Sequence, residues 1–211
     1  MKLLIATSNH GKVIEIRHEL AAAQERQPRL GAVQVLGLKD LPTRLPEPVE
    51  DQATFEGNAQ LKARHYARLS GLLTLADDSG LEVRALGGVP GVYSARYAGT
   101  PCDDAANNRK LLKNMAGVPE MQRGARFVCA MVLAGPDAEF VTLRDSMEGR
   151  ILDAARGSHG FGYDPLFLLP ELGKTSAELT MEEKNQVSHR GKATRRIIAW
   201  MTDHLDELAA Y

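Results

Sequence analysis

The sequence has few cysteines and no long apolar run. Only two of its 211 residues are cysteines, and Cys102 and Cys129 show no C-x-x-C spacing, which argues against a disulfide scaffold or a zinc site and favours a reducing compartment. No apolar run approaches the roughly 18 to 20 residues that a membrane-spanning helix needs, and the apolar run 3–6 is too short for a signal-peptide core. We therefore expect a cytoplasmic protein that has no membrane association.

A strong charge of either sign is also missing. The formal net charge is −1, whereas 25% of the residues are charged and 44% are hydrophobic. This balance argues against a disordered chain and against a stable nucleic-acid partner, for which a clearly basic surface is usual. A chain of this length is sufficient to bury a core in one domain.

Strand and helix patterns alternate in the first half of the chain. The segment 2–6, which contains the apolar run 3–6, predicts a short buried strand, and the apolar spacing after Lys12 predicts a helix. A second strand is predicted at 33–37, a second helix at 54–71, and a strand buried on both faces at 72–76. This alternation is typical of an α/β domain built from βαβ units.

The second half of the chain is less regular. Two strands joined by a hairpin turn are predicted at 127–133 and 140–143, whereas the glycine-rich segment 156–164 predicts no regular element. A capping box at Thr180 predicts the start of a short helix. The last helix is predicted from about Ser188, with Ile197, Met201, Leu205 and Leu208 on one face. We expect one α/β domain, residues 1–211, with a mixed sheet and flanking helices.

The first candidate site lies at the predicted junction between strand and helix. Such a junction directs backbone N–H groups and the positive end of the helix dipole towards an anion, and Lys12 adds a cation that could bind phosphate. The segment is not a Walker A loop, because Val13 follows the lysine. An ordinary helix cap with a solvated lysine is the alternative. The candidate residues are Thr7, Ser8, Asn9, His10, Gly11 and Lys12.

The second candidate is the pair of aspartates that follows the strand at 72–76. Ligands of open α/β sheets collect beyond the carboxyl ends of strands, where Asp78 could hold Mg²⁺ and accept a proton from water, with Ser79 beside it. Adjacent strand residues point to opposite faces, so Asp77 and Asp78 are not expected to face one spot. An Asp-rich turn is the alternative.

The third candidate combines an acidic loop with the helix at 54–71. Asn58 and Lys62 are four residues apart and so share a helix face. If that face is directed towards Asp78, Lys62 would place a cation beside bound phosphates, and Glu50 could be a second metal ligand. A surface helix with solvated charges is the alternative.

Two further segments carry polar and aromatic residues in ligand-binding patterns. Flanking glycines would let a ligand approach the backbone of 160–164 closely, and Phe161 could stack on a flat base; a glycine-rich turn with Phe161 in the core is the alternative. Several donors lie around a predicted helix start at 183–192, where a nucleic-acid patch or a charged surface would also fit. The candidate residues are Phe161, Gly162, Tyr163, Asp164, Lys184, His189 and Arg190.

Taken together, five segments resemble the inosine/xanthosine triphosphate pyrophosphatase family. They are LLIATSNHGKV, FEGNAQLKARHYA, ADDSGLEVRALGGVPGVYSARYAG, GSHGFGYDPLF and ELTMEEKNQVSHRGKA. They occur in the family's order and reach from residue 3 to 193, nearly the whole chain. Ser8 departs from the pattern, because the family commonly has glycine there, and Glu50 lies in a variable acidic loop.

The resemblance implies an elongated mixed sheet with flanking helices, in two lobes around a central active-site cleft, and a homodimer. It implies Mg²⁺-dependent hydrolysis of dITP, ITP and XTP to the monophosphate and pyrophosphate. By the family's motifs, residues 7–12 and Lys62 would bind the phosphates, Asp78 would be proton acceptor and metal ligand with Glu50 as a second ligand, and Ser79 would touch substrate. The residues expected to enclose base and sugar are Phe161, Gly162, Tyr163, Asp164, Lys184, His189 and Arg190.

Three other functions compete with this one. The same fold could hydrolyse pyrimidine triphosphates, or it could bind a nucleotide as a sensor without turnover. A basic stretch from Lys184 to Arg196 could bind nucleic acid. An acidic pair at a strand end favours an enzyme over a sensor, and the net charge disfavours the nucleic-acid function.

Overall fold

The computed structural model describes residues 1–211 and contains one open, mixed sheet of seven strands. The strands are β1 (Lys2–Ile5), β2 (Gln34–Gly37), β3 (Leu73–Val83), β4 (Gly124–Ala134), β5 (Glu139–Ile151), β6 (Phe167–Leu169) and β7 (Lys174–Thr175). They lie in the order β2-β1-β3-β4-β5-β6-β7. β1 is parallel to β2 and β3, whereas β6 is antiparallel to both β5 and β7.

Six helices accompany the sheet. They are α1 (His10–Arg26), α2 (Phe55–Ser70), α3 (Asp104–Asn114), α4 (Met181–Val187), α5 (His189–Asp203) and α6 (Leu205–Leu208). The predicted helix at 54–71 is confirmed as α2: the Thr54 side chain accepts from the N–H of Gly57, and Gly71 ends the helix at φ 71°, a left-handed conformation that glycine adopts without a Cβ penalty. The capping box at the start of α4 is confirmed as well.

The βαβ prediction for the first half is confirmed. β1 pairs in parallel with β2, and Leu3 lies opposite Val35; the chain between them forms α1. β1 also pairs with β3, with Leu3 opposite Leu73. Residues 3–6 are fully buried, as expected of a parallel strand that is covered on both faces.

β3 is longer than the sequence predicts. The expected strand ended at residue 76, but the structure continues it through the two aspartates to Val83. The prediction that Asp77 and Asp78 follow the end of a strand is therefore wrong, because both lie inside β3. Leu81 and Val83 are fully buried, and their alternation continues the strand through residues that local propensity assigns to a turn.

In the second half, the hairpin is confirmed and one helix is new. β4 and β5 are joined by the turn 135–138, which closes with the Gly135 N–H donating to the Ala138 carbonyl at 2.8 Å. α3 was not predicted. Asp103 caps the start of α3 by accepting from the Ala106 N–H at 3.0 Å, and Leu111 of the helix is buried. The N-cap aspartate, followed by this apolar residue, is the signal in the sequence that marks the helix.

The predicted last helix is wrong in its extent. A single helix from Ser188 was expected to carry Ile197, Met201, Leu205 and Leu208 on one face, but α5 ends at Asp203 and a separate short helix follows. His204 lies between them at φ −118° and ψ 17°, outside helical geometry. Its Nδ1 is 2.8 Å from the Trp200 carbonyl, and this side-chain contact occupies an acceptor of the last helical turn.

The chain divides into two compact units, each with its own core. Unit 1 comprises 1–78, 129–145 and 190–211, and unit 2 comprises 79–128 and 146–189. The core of unit 1 joins α1, β1, β3, β4 and α5 around residues such as Ile5 and Ile197. The core of unit 2 joins α3 to β5 and β6 around residues such as Leu111 and Phe167.

Both cysteines are free thiols, as the sequence predicts. Cys129 is buried in β4, where burial raises the pKa of its thiol to about 12, and Cys102 is exposed. None of the helices combines the length and the apolar character that a bilayer crossing requires.

Candidate functional site

The junction between β1 and α1 has the geometry of an anion site. The Asn9 side chain accepts from the N–H of Lys12 at 3.2 Å, and the Asn9 N–H donates to Thr7 Oγ1 at 3.3 Å. Ser8, Asn9 and His10 are exposed, and α1 has 17 residues. The first turn of a long helix therefore lies open to solvent, where its N–H groups and dipole favour an anion.

Asp78 lies at the centre of a largely buried polar group, which we call the Asp78 cluster (the partly exposed Glu50 and the buried Asn58, Lys62 and Asp78). The Lys62 ammonium is 2.8 Å from Glu50 Oε2 and 3.3 Å from Asp78 Oδ1. Asn58 Nδ2 donates to Asp78 Oδ2 at 3.2 Å. The predicted face shared by Asn58 and Lys62 is thus confirmed, and it is directed towards Asp78.

Asn58 also fixes the loop that carries Glu50. Its Oδ1 accepts from the N–H of Gln52 at 3.0 Å, so one amide side chain joins this loop to Asp78. Asn58 is 1% exposed, and a buried amide with both ends bonded has a defined orientation. Its role as the link between Gln52 of this loop and Asp78 was not part of the predicted site.

The pKa values of Asp78 and Lys62 are both raised, for different reasons. Burial raises the pKa of Asp78, and it outweighs the opposing charges of Lys62 and Lys12. Burial by itself would lower the pKa of Lys62, but Asp78, Asp77 and Glu50 raise it above its usual value. A carboxylate with a raised pKa is a better proton acceptor, because its basicity is closer to neutral pH.

Asp77 belongs to a second group, the Asp77 network (Lys12, Glu15, Asp77 and Arg190). The Lys12 ammonium is 2.8 Å and Arg190 Nε is 3.5 Å from Asp77 Oδ2, and Arg190 also pairs with Glu15 of α1. Burial would raise the pKa of Asp77, but Lys12, Arg190 and Lys62 hold it well below its usual range. Positive and negative groups alternate, so the buried charges compensate one another.

The network accounts for residues that the sequence could not assign. Glu15 is 3% and Asp77 is 1% exposed; Glu15 was not predicted to belong to the site, and Asp77 was predicted only as the neighbour of Asp78 that faces another spot. Arg190 was expected at the base, and in the structure its guanidinium pairs with these two carboxylates. Glu15 lies about one helical turn beyond Lys12, and this spacing is the only signal in the sequence that could have indicated it.

Glu50 and Asp78 are the residues that could hold a divalent cation. Their carboxylates converge on one ammonium, that of Lys62, and hard carboxylate oxygens are the ligands that Mg²⁺ takes. No group of three or more His, Cys, Asp or Glu side chains suited to a metal occurs in the chain. Two carboxylates fit Mg²⁺, which is usually held by one or two carboxylates together with substrate phosphates and water.

In unit 2, the segment 160–164, here called the Phe161 loop, is held by a buried ion pair. Asp164 Oδ2 accepts from the N–H of Phe161 at 3.0 Å and from the Lys184 ammonium at 2.7 Å. The same ammonium lies 5.0 Å from the centre of the Phe161 ring. A Cβ on Gly160 would stand 2.1 Å from Asp164 Oδ2, so this close approach requires glycine.

The remaining predicted residues occupy three different environments. Tyr163 lies in the core of unit 2, and its hydroxyl donates to the Ser94 carbonyl at 2.8 Å; burial raises its pKa. His189 begins α5 and stacks on Phe127, with ring centres 5.0 Å apart. Ser79 follows Asp78 within β3 and is partly exposed.

Comparisons of the sequence with known proteins find relatives over nearly the whole chain. The model of the Ham1 family matches residues 3–200. A dITP/XTP pyrophosphatase of Exiguobacterium sibiricum is 50% identical over 207 residues, covering 98% of this chain and 100% of that protein. A dITP/XTP pyrophosphatase of Thermus thermophilus is 50% identical over 198 residues, covering 94% and 90%.

Solved structures show the same architecture. The Ham1 protein of Staphylococcus aureus superposes with a TM-score of 0.82 at 38% identity, covering 97% of this chain and all of that one. A HAM1 protein from Coxiella burnetii gives a TM-score of 0.83 at 34% identity, with 96% and 99% coverage. On the extent of these matches, the chain belongs to the Ham1 family.

Proposed function

We propose that this protein hydrolyses dITP, ITP and XTP or dXTP to the nucleoside monophosphate and pyrophosphate, and so removes deaminated purines from the nucleotide pool. The observation that carries the proposal is the Asp78 cluster, in which a buried carboxylate of raised pKa lies beside a lysine and a second carboxylate. Relatives that are half identical to this chain bear the name dITP/XTP pyrophosphatase.

In the proposed reaction, Asp78 accepts a proton from the attacking water. The water oxygen forms a bond to the α-phosphorus, and the bond from that phosphorus to the bridging oxygen breaks, so that pyrophosphate leaves with the electron pair. Lys62 and Lys12 oppose the negative charge of the phosphates. Phosphoryl transfer depends mainly on positioning and charge stabilisation, which these side chains can supply.

Glu50 and Asp78 would hold Mg²⁺ in this proposal. The bound cation supplies charge neutralisation for the phosphates and for the leaving pyrophosphate. Lys62 contacts both carboxylates, and it is the residue that keeps them together before the cation binds. The N-terminus of α1, with Thr7, Ser8, Asn9, His10 and Gly11, adds backbone donors for a phosphate.

Base recognition is assigned to the Phe161 loop, with Lys184 and His189, whereas Arg190 remains in the Asp77 network. Phe161 is partly exposed and can present a stacking face to a purine. Hypoxanthine and xanthine carry an oxygen at C6 where adenine carries an amine. A donor opposite C6 would bond the oxygen and would leave the adenine amine without a partner, which is costly when buried.

A homodimer and a cytoplasmic location complete the proposal: the homodimer follows from the family resemblance, and the location follows from the few cysteines and the short apolar runs of the sequence. Stable partners other than a second copy and the nucleotide are not part of it. Because the net charge is −1, a nucleic-acid partner is not included.

The test is hydrolysis of dITP, XTP, dGTP, dATP and dTTP with Mg²⁺, in an assay that separates pyrophosphate from orthophosphate. We expect pyrophosphate from dITP and XTP, little product from the other three, and no turnover after EDTA treatment until Mg²⁺ is restored. Orthophosphate as the first product would place the attack at the terminal phosphate and would overturn the mechanism. Binding of dITP without turnover would identify a nucleotide sensor instead.

A further inference from the structure

Helix α3 contacts the Phe161 loop with two polar side chains from one face. Asp104 and Asn108 are four residues apart, so they lie one above the other on this helix. α3 has no assigned part in catalysis or binding. Its contacts with the loop therefore require an explanation beyond the function proposed above.

Both contacts of α3 converge on Gly162. The Gly162 N–H donates to Asp104 Oδ2 at 2.7 Å, and the Gly162 carbonyl accepts from Asn108 Nδ2 at 2.8 Å. One glycine thus has its backbone donor and its backbone acceptor bonded to side chains of the same helix. Both peptide planes that flank Gly162 are fixed by these two bonds.

The fixed peptide planes determine where the Phe161 ring lies. On one side of Phe161, its N–H is held by Asp164 at 3.0 Å; on the other side, the peptide to Gly162 is held by Asp104. Gly162 itself has φ 61°, a left-handed conformation that glycine adopts readily but can also leave readily, because it has no Cβ. Without Asp104 and Asn108, the backbone of Gly162 would lose both of its side-chain partners.

We propose that Asp104 and Asn108 are positioning residues for the purine base: they act through Gly162 to hold the Phe161 ring in its stacking orientation. The inference rests on the proposed function, because it assumes that Phe161 meets the base. Asn108 is partly buried and Asp104 is exposed. Substitution of Asn108 is therefore a stronger test than substitution of Asp104, because water competes more effectively for the exposed hydrogen bond of Asp104.

The experiment measures the binding of each reaction product by calorimetry with Mg²⁺ present. The products are used because neither is hydrolysed during the measurement. Only dIMP carries the base, so pyrophosphate reports on the phosphate site alone. We expect Asn108→Ala to raise the Kd for dIMP about fivefold, the effect of losing one hydrogen bond, and to leave the Kd for pyrophosphate unchanged. Asn114→Ala is the matched control: Asn114 lies on α3 but bonds Tyr97 Oη at 2.6 Å, so both affinities should stay at the wild-type values.

A double-mutant cycle separates positioning from general destabilisation. In a Phe161→Ala background, Asn108→Ala should cause no further loss of dIMP affinity, because the ring that it positions is gone. An undiminished effect in that background, or an equal loss of pyrophosphate affinity, would overturn the proposal. Wild-type protein that binds dIMP but does not turn over dITP would overturn only the proposed function, whereas wild-type protein that turns over dITP but does not bind dIMP would overturn only this inference.

Discussion

Asp77 and Asp78 are neighbours in sequence, yet their pKa values shift in opposite directions. The Asp77 side chain faces Lys12 and Arg190, whose charges hold its pKa well below the usual range despite burial. Burial raises the pKa of Asp78, and Lys62 only partly opposes it. Because adjacent strand residues face opposite sides, one residue can stabilise charge in the fold while the next is available as a base.

We expect Asp78→Asn to lower kcat at least about a hundredfold, the range for loss of a general base, because the amide keeps the shape but cannot accept the proton. The free energy of unfolding should stay within about 1 kcal/mol of the wild-type value, since the fold disfavours the charged form of this carboxyl. Steady-state pyrophosphate release and urea unfolding measure the two quantities. Asp137→Asn, in an exposed turn, is the control; retention of more than a tenth of the activity by Asp78→Asn would remove Asp78 from the mechanism.

Asp77→Asn, unlike Asp78→Asn, should lower the free energy of unfolding. Asp77 is fully buried with two cations around it, and removing one partner of a buried ion pair costs about 3 to 5 kcal/mol. Its folded-state pKa is depressed, so the wild type has this stabilisation above the unfolded-state pKa of about 4 and loses it as the pH falls further. Urea unfolding at pH 7 and pH 3 tests this. The difference in the free energy of unfolding between wild type and variant should be smaller at pH 3 than at pH 7, and an equal difference at the two pH values would contradict the prediction.

At the scale of elements, the pairing of β5 with β6 depends on a glycine. Gly149 lies in β5, and a Cβ there would stand 2.5 Å from the Leu168 carbonyl oxygen and 2.6 Å from the Phe167 ring. Phe167 is fully buried in the core of unit 2. The strand and the ring can approach this closely only because the position has no side chain.

Gly149→Ala should therefore lower the free energy of unfolding by about 1 to 3 kcal/mol, the usual cost of overpacking a core. Gly31→Ala is the control, because a Cβ at that position meets nothing within 4 Å, and its effect should stay within about 0.5 kcal/mol. Thermal and urea unfolding of both variants provide the comparison. Equal stability of the two variants would show that the strands move apart at little cost.

At the scale of the whole molecule, burial is distributed very unevenly. β3 and β4 are buried along almost their entire length, whereas most of the residues 41–54, which include Glu50, are exposed and outside helices and strands. Opening free energies are highest where apolar contacts are dense and lowest in exposed loops. The loop with one of the two proposed metal ligands is thus among the least constrained parts of the chain.

Amide hydrogen exchange should show this difference directly. We expect the slowest exchange in β3 and β4 and fast exchange in 41–51, with Gln52 slower than its neighbours because its N–H donates to Asn58. Addition of Mg²⁺ with pyrophosphate should slow exchange around Glu50, because a bound cation would restrain that loop. Mass spectrometry of peptic peptides measures the rates, and exchange around Glu50 that does not respond would argue against its role as a metal ligand.

The sequence by itself determined the local features of this protein. These features depend on residues only a few positions apart, where spacing and capping chemistry decide the structure. They are the helix α2 with its caps, the β1–α1 junction, and the helix face shared by Asn58 and Lys62. The five motifs in order also identified the family, because each carries residues whose chemistry is visible without the fold. Helix α3 had a comparable signal in Asp103, but the glycine-rich surroundings concealed it.

Only the tertiary structure decided which distant residues meet. The continuation of β3 through Asp77 and Asp78, the pairing of Arg190 with Glu15, and the contacts of α3 with Gly162 each join residues far apart in the chain. Turn propensity predicts a turn at Asp77 and Asp78, but the structure continues the strand through both residues. Burial on both faces of a strand outweighs local preference there. Spacing in a sequence carries no information on such contacts, since they depend on the packing of the complete core.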